Sequence, residues 1–168
     1  MKAEPITLRP AGSADCRIVF RWANDPETRA ASFHTQTIAF DEHETWFDAA
    51  IAPRDSLFII EAGHEPVGVA RIEAADGDIA EVSINLAPTA RGQGLAHTVL
   101  NALVPLASAR GFRKLLARVR ADNLRSQRAF EKSGFTRESV SVINGAQALV
   151  FARETAGSSD RGRLVGDK

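Results

Sequence analysis

The stretch Arg91-Gly92-Gln93-Gly94-Leu95-Ala96 has the residue types and spacing to hold a phosphate group. Two glycines without Cβ let the backbone turn tightly and bring successive amides close to a ligand. The apolar-striped segment that follows aims a helix N-terminus, the positive end of its dipole, at the same spot. Other phosphate-binding patterns fit poorly. A dinucleotide fingerprint needs a small residue where His97 stands and an acidic residue about twenty positions on, where this chain has Lys114 among apolar neighbours. A P-loop needs Gly-Lys-Ser/Thr, and Gly94 is followed by Leu95 and Ala96. Two glycines before a helix also occur as plain packing, so the surrounding elements must decide.

The strand leading into the loop, Ile79 to Ala87, alternates: Val82, Ile84 and Leu86 face one side, Glu81, Ser83 and Asn85 the other. A two-residue turn at Asp76-Gly77 would set Glu81, Ser83 and Asn85 opposite Ile72, Ala70 and Gly68, small partners that leave room for a ligand. Ser56 to Ala62 and Val67 to Ala74 complete three antiparallel strands. Upstream, Ile6 and Leu8 mark a strand ended by Pro10. Ser13 or Asp15 can cap a helix through Trp22, Pro26 suits the first turn of a short helix to about Ser32, and Asp41 can cap a third helix presenting Trp46, Phe47, Ala50 and Ile51. Downstream, Leu95, Val99, Leu100, Leu103 and Leu106 keep a helical period until Gly111. Lys114 to Arg120 reads as a strand, Asn123 to Ser133 as a helix, and Asn144-Gly145 as the turn of a closing hairpin between Phe135 to Ile143 and Ala146 to Arg153.

The chain has 168 residues, 44% of them hydrophobic and 25% charged, which suits one well-buried core, expected over residues 1–154. Residues 155–168, rich in Gly, Ser and charge, read as a mobile tail. Lys plus Arg equals Asp plus Glu at 21 each, so no global field favours nucleic acid or an anionic membrane. The N-terminus lacks an apolar signal core and the longest strongly apolar run, Leu57 to Ile60, is far too short for a bilayer span, so a cytoplasmic protein is expected. Cys16, the only cysteine, excludes an intramolecular disulfide and a thiolate zinc cluster and reads as a buried structural thiol. Four scattered histidines assemble no metal site.

The strand Ile79 to Ala87, then Pro88, then Arg91-x-x-Gly94-x-Ala96 opening a helix, resembles the acetyl-CoA pyrophosphate motif of the GNAT superfamily of N-acetyltransferases. Asn123-x-x-Ser126-x-x-x-Phe130-Glu131-Lys132-x-Gly134-Phe135 resembles the family's next motif, whose helix borders the pantetheine and thiol end. The resemblance covers roughly residues 54 to 153 and implies an α/β (α+β) fold: a mixed, mostly antiparallel sheet of about seven strands with about four helices on both faces. It implies acetyl-CoA as co-substrate and no metal. The coenzyme residues it carries over are Leu86, Ala87, Arg91, Gly92, Gln93, Gly94, Leu95, Ala96, Asn123 and Phe130. It further implies that the strand splays from its neighbour near Asn85 to Ala87, freeing backbone groups for the pantetheine amides. The Leu86 amide is then suited to polarise the thioester carbonyl.

The implied reaction is attack of a neutral primary amine on the acetyl thioester through an oxyanion, with coenzyme A thiolate leaving, in one ternary complex. It needs a base, oxyanion stabilisation and protonation of the thiolate. Glu81 is the first choice of base; Glu73, Asp78 and His43 are the alternatives, and a solvated strand carboxylate is the reading without chemistry. Many family members place Tyr where Phe130 stands, and this chain has no Tyr. Ser126, one helical turn earlier, is the candidate acid; water, or a Ser126 bonded only to backbone, is the alternative. The missing Tyr also keeps open a catalytically silent acyl-CoA-binding module.

Acceptor choice is expected in the first fifty residues, around Trp22-x-Asn24-Asp25-Pro26-x-x-Arg29 and His43-Glu44-Thr45-Trp46-Phe47, together with Asn85. Both segments resemble two branches of the superfamily, the amino-sugar acetyltransferases of the pseudaminic acid pathway and the enzymes acetylating ribosomal-protein N-termini. An indole can stack on a base or sugar and Arg29 can fork onto a diphosphate, as a nucleotide-linked amino sugar would require. A peptide N-terminus is the other acceptor. Against both, Trp22, Trp46 and Phe47 lie at helical spacing among apolar neighbours, and Arg29 can simply pair with Asp25. Partners are thus a small amine or a peptide, and the chain is a monomer or, through an exposed edge of the closing hairpin, a homodimer.

Overall fold

A seven-stranded sheet in the order β1-β2-β3-β4-β5-β7-β6 forms the centre of the chain, in a computed structural model that describes residues 4–53 and 56–156. The strands are β1 (Ile6–Pro10), β2 (Leu57–Ala62), β3 (Glu65–Asp76), β4 (Ile79–Leu86), β5 (Lys114–Arg120), β6 (Thr136–Ile143) and β7 (Ala146–Glu154). Every neighbouring pair is antiparallel except β4 and β5, which are parallel and joined by a crossover through α4. The helices are α1 (Cys16–Ala23), α2 (Pro26–Ala31), α3 (Phe40–Ile51), α4 (Leu95–Ala109) and α5 (Leu124–Lys132), five where about four were expected.

Each sheet face buries its own core. Val99, Leu100 and Leu103 of α4 and Phe130 of α5 pack on Ile72, Val82, Leu115 and Phe151; on the opposite face, Val19 and Trp22 of α1 and Phe47 of α3 pack on Leu57, Ile59 and Val69. The alternation read in β4 holds, with Ala80 and Val82 buried toward α4. Cys16 is buried as expected, and burial pushes its thiol up.

Local turn chemistry placed most boundaries. Asn144 and Gly145 both adopt positive φ, 50° and 78°, as a two-residue hairpin turn demands. The helix starts were less legible. Asp15 does not cap α1 with its side chain, because its carboxylate binds Arg9 and the amide of Gly12, the N-cap of the 3-10 turn before the helix. Asp41 falls inside α3, whose N-cap is Ala39. The β3–β4 turn is Gly77-Asp78, since Asp76 already pairs with Ile79, and an irregularity between Ala74 and Asp76 shifts the register. Glu81, Ser83 and Asn85 therefore lie opposite Glu73, Arg71 and Val69, not Ile72, Ala70 and Gly68. Just past β7, the Thr155 amide and hydroxyl bind the carbonyls of Arg113 and Phe112, while residues 157–168 of the expected tail lie outside the described residues. No helix among the described residues is long and apolar enough to cross a membrane.

Candidate functional site

The parallel strands β4 and β5 pair only from Ile79↔Lys114 to Glu81↔Leu116 and then part, so the fork opens earlier than the expected Asn85 to Ala87. The ladder on the other side of β4 says which groups face the fork. The Ala87 amide binds the Val67 carbonyl at 2.8 Å, and in an antiparallel ladder the groups that point to the partner alternate. Val82, Ile84 and Leu86 therefore direct N–H and C=O toward the fork. Ala87 does not, because its carbonyl is also taken, by the Ala90 amide at 2.9 Å. Gly68 makes this arrangement possible: a Cβ there would stand 2.7 Å from the Asn85 carbonyl oxygen and 3.1 Å from Leu86 Cα.

A cavity of about 920 Å³ occupies the fork. It is lined from both sheet faces, by Val82, Ile84 and Leu100 on one and by Trp46, Arg71, Ser83 and Asn85 on the other, so it passes through the sheet where the strands part. At one end lies the glycine loop. Gly92 and Gly94 both have φ near 74°, a left-handed conformation that side chains resist, and Gly94 is the N-cap of α4. Among the described residues the amides of Gly92, Gln93 and Gly94 have no acceptor, and those of Leu95 and Ala96 open the helix. Loop and fork together fit a phosphate followed by an extended chain with amides of its own. The adjoining lining is basic, with His97 on α4 and Arg125, Arg128 and Lys132 on α5.

Asn123 caps α5 by accepting from the Ser126 amide at 3.2 Å, which leaves the Ser126 side chain on the cavity lining. Among the described residues the Ser126 hydroxyl has no hydrogen bond, so it is not spent on backbone. Phe130 also lines the cavity, anchored by edge contact with Phe135 and stacking on Phe151. Glu81 stands at the root of the fork, ion-paired to Arg118, which lines the cavity while Glu81 does not. Glu73 pairs with Arg71 and Asp78 stands near Arg113.

The expected acceptor residues divide. Trp46, 39% exposed, lines the cavity with the Arg71 guanidinium 5.5 Å from its ring centroid, and Asn85 lines it too. Trp22 and His43 do not: Trp22 is core, and the His43 ring bonds the Cys16 carbonyl at 3.0 Å, where burial lowers its pKa from the ordinary 6.5. Asn24 clasps both the amide and the carbonyl of Ile38. Arg29 reaches the lining, but its donors are committed to the Ala23 and His34 carbonyls and the Ser32 hydroxyl, and it does not pair with Asp25. Gln93 bonds the Thr89 carbonyl and lies off the lining.

Some lining residues had not been singled out. Arg118 and Arg120 were findable from alternation, because Leu115, Ala117 and Val119 face the α4 core and so turn their neighbours to the cavity side. Nothing local marks Glu27, Thr28 or Asp122, which are brought to the cavity by the packing of α2 and the β5–α5 turn.

A split sheet with a loop-and-helix anion cradle at one end defines an enzyme class that holds a phosphate-bearing carrier with its chain threaded between strands. The chain belongs to the GNAT acetyltransferase family: the family model for the acetyltransferase (GNAT) domain matches residues 6–136. It is an acetyltransferase with acetyl-CoA as co-substrate. The fold is shared with spermidine N-acetyltransferase from Vibrio cholerae, solved with CoA and spermine (TM-score 0.79, 22% identity, 89% of this chain and 95% of that one). It is shared too with an aminoglycoside acetyltransferase solved with coenzyme A and kanamycin (TM-score 0.77, 20% identity, 89% and 95% covered). A GNAT-family acetyltransferase from Bacillus anthracis superposes with TM-score 0.79 at 16% identity over 92% of this chain and 98% of that one. No curated protein matches the chain significantly.

Proposed function

We propose that the chain moves the acetyl group of acetyl-CoA to the primary amine of a nucleotide-linked amino sugar, by direct attack in one ternary complex. The observation that carries the transfer reading is one continuous cavity through the forked sheet, lined both by the glycine loop and by Trp46. Acetyl-CoA supplies the activated thioester. The amides of Gly92 to Ala96 hold its diphosphate, with Arg125, Arg128 and Lys132 nearby. The amides and carbonyls facing the fork pair with the pantetheine, and the Leu86 N–H donates toward the thioester oxygen. Glu81, behind Arg118, takes the ammonium proton through water; as the new C–N bond forms and the C–S bond breaks, the Ser126 hydroxyl gives its proton to the departing sulfur and regains one from solvent.

The half-exposed Trp46 with Arg71 over its ring supports the acceptor, since an indole face suits a base or sugar and a guanidinium suits its phosphates. Thiol release from acetyl-CoA is measured over nucleotide-linked amino sugars, N-terminal peptides, spermidine and kanamycin. The sugar nucleotides are expected to be fastest. Fastest release with a peptide moves the acceptor to protein N-termini, and release with none despite tight coenzyme binding makes the chain a silent acyl-CoA module. Glu81→Gln with unchanged turnover at every pH removes Glu81 from the mechanism.

A further inference from the structure

The arginine of the loop motif closes on α2. Arg91 Nη2 donates to Asp25 Oδ2 at 2.9 Å and Thr28 Oγ1 at 2.7 Å, and Nη1 to Glu27 Oε2 at 2.9 Å. The Thr28 hydroxyl in turn donates to Asn85 Oδ1 at 3.1 Å. A continuous chain of side chains thus runs from the phosphate loop, across α2, to the forked strand. Its components differ in weight. Arg91 and Asp25 are 15% and 17% exposed, a shielded pair, whereas the contact of Glu27 with Arg125 joins side chains 61% and 68% exposed and is screened by solvent. Burial pushes the Asp25 carboxyl up, but the Arg91 guanidinium and the Thr28 and Glu27 amides outweigh it and hold Asp25 below the usual carboxylate range. The planar guanidinium reaches two carboxylates and a hydroxyl from two nitrogens in a fixed fork, whereas an ammonium offers its donors from one point. What the chain holds is the acceptor wall, since Thr28, Arg29 and Ala31 of α2, with Ser32 and Phe33 after it, line the cavity.

We propose that Arg91 is a positioning residue for the acceptor wall and not a phosphate ligand, and that through Asp25 and Thr28 it makes the placement of α2 depend on coenzyme in the glycine loop. The inference rests on the reading of that loop as the coenzyme site. Coenzyme that orders the loop amides orders Arg91 with them, and α2 follows. By linkage, acceptor and coenzyme then strengthen each other's binding by the same factor.

Hydrogen exchange of the full chain, with and without CoA, tests this. In the wild type, CoA is expected to slow exchange both at residues 92–97 and at residues 27–34. In an Asp25→Asn, Thr28→Val double variant, protection at 92–97 persists and protection at 27–34 is lost. For the amine that the wild type turns over best in the panel above, KM rises about tenfold in the double variant while kcat and CoA affinity by calorimetry stay within about threefold. Arg91→Ala reproduces this pattern and Arg91→Lys recovers part of the KM. The single Thr28→Val, close in shape, carries the same test should the double variant fold poorly. CoA affinity falling in Arg91→Ala with acceptor KM unchanged would make Arg91 a phosphate ligand and overturn the proposal. So would wild-type protection at 92–97 without protection at 27–34. No wild-type protection at 92–97 overturns the coenzyme reading itself, and the inference with it.

Discussion

On one wall of the cavity, residues 86–97 and 123–130 reach the site within two short stretches of chain, each shaped by its own turns and caps. On the other, residues 19–46 are held by side-chain bonds, some within the segment and some from Arg91 and Arg120. The wall we assign to the coenzyme is built from backbone: left-handed glycines, a helix N-terminus, and alternating strand groups turned toward the fork. The wall we assign to the acceptor is held by long polar side chains: Arg91 on α2, Asn24 on Ile38, Arg29 on Ala23 and His34, and Arg120 on the Ser32 carbonyl. Backbone that must meet a fixed ligand leaves a short motif. Side chains that hold a variable wall leave none, which is how one family keeps a coenzyme and changes acceptors.

The contrast can be broken most severely from the backbone side. Gly68→Ala pushes β4 at Asn85 and Leu86, where a Cβ would sit 2.7 Å from the Asn85 carbonyl oxygen, and is expected to lower kcat/KM on the order of a hundredfold, with weaker CoA binding by calorimetry. An unchanged CoA affinity would mean that the fork tolerates movement. Arg29→Ala removes three bonds from the acceptor wall alone; stability falls by about 1–3 kcal/mol by denaturant unfolding and acceptor KM rises roughly tenfold, with CoA affinity unaltered. Equal losses on both substrates would erase the distinction between the walls.

Ser126→Ala belongs to neither wall's scaffold. It is expected to slow acetyl transfer about tenfold, at or below the low end of general-acid contributions because a thiolate needs little help, while CoA affinity holds. The reverse pattern would make Ser126 a binding residue. The smallest effect concerns the core beneath the acceptor wall. The His43 pKa is depressed in the folded chain by burial, so the unfolded chain binds the proton more readily, and stability is full above 6.5 and falls as pH drops from there toward the lower folded value. His43→Gln should flatten that limb in thermal unfolding between pH 5 and about 6.5.

Reading the chain residue by residue shows where legibility ends. Gly92, Gly94, Asn123, Asn144 and Gly145 occupy the positions their own chemistry demands, and the elements around them follow. Trp22 and His43, with aromatic and imidazole rings suited to a ligand, are core; Asn24 and Arg29, polar and well placed, hold their own loop. Spacing cannot distinguish these fates, because a guanidinium offers the same donors to a diphosphate as to a main-chain carbonyl.

The register of β3 on β4 differs by one residue from the expected one, because Gly77 permits a turn at either of two positions and an irregularity between Ala74 and Asp76 leaves no local signal. Sequence by itself therefore determined the turn of the glycine loop, the period of α4 and α5, the strand alternation and the closing hairpin, since each depends on neighbours within a few residues. Only the tertiary structure decided which arginines are spent on the scaffold, where the fork opens and which aromatic faces the cavity. Those outcomes depend on how separate elements pack, as when Arg91 finds Asp25, and no local pattern encodes such a partner.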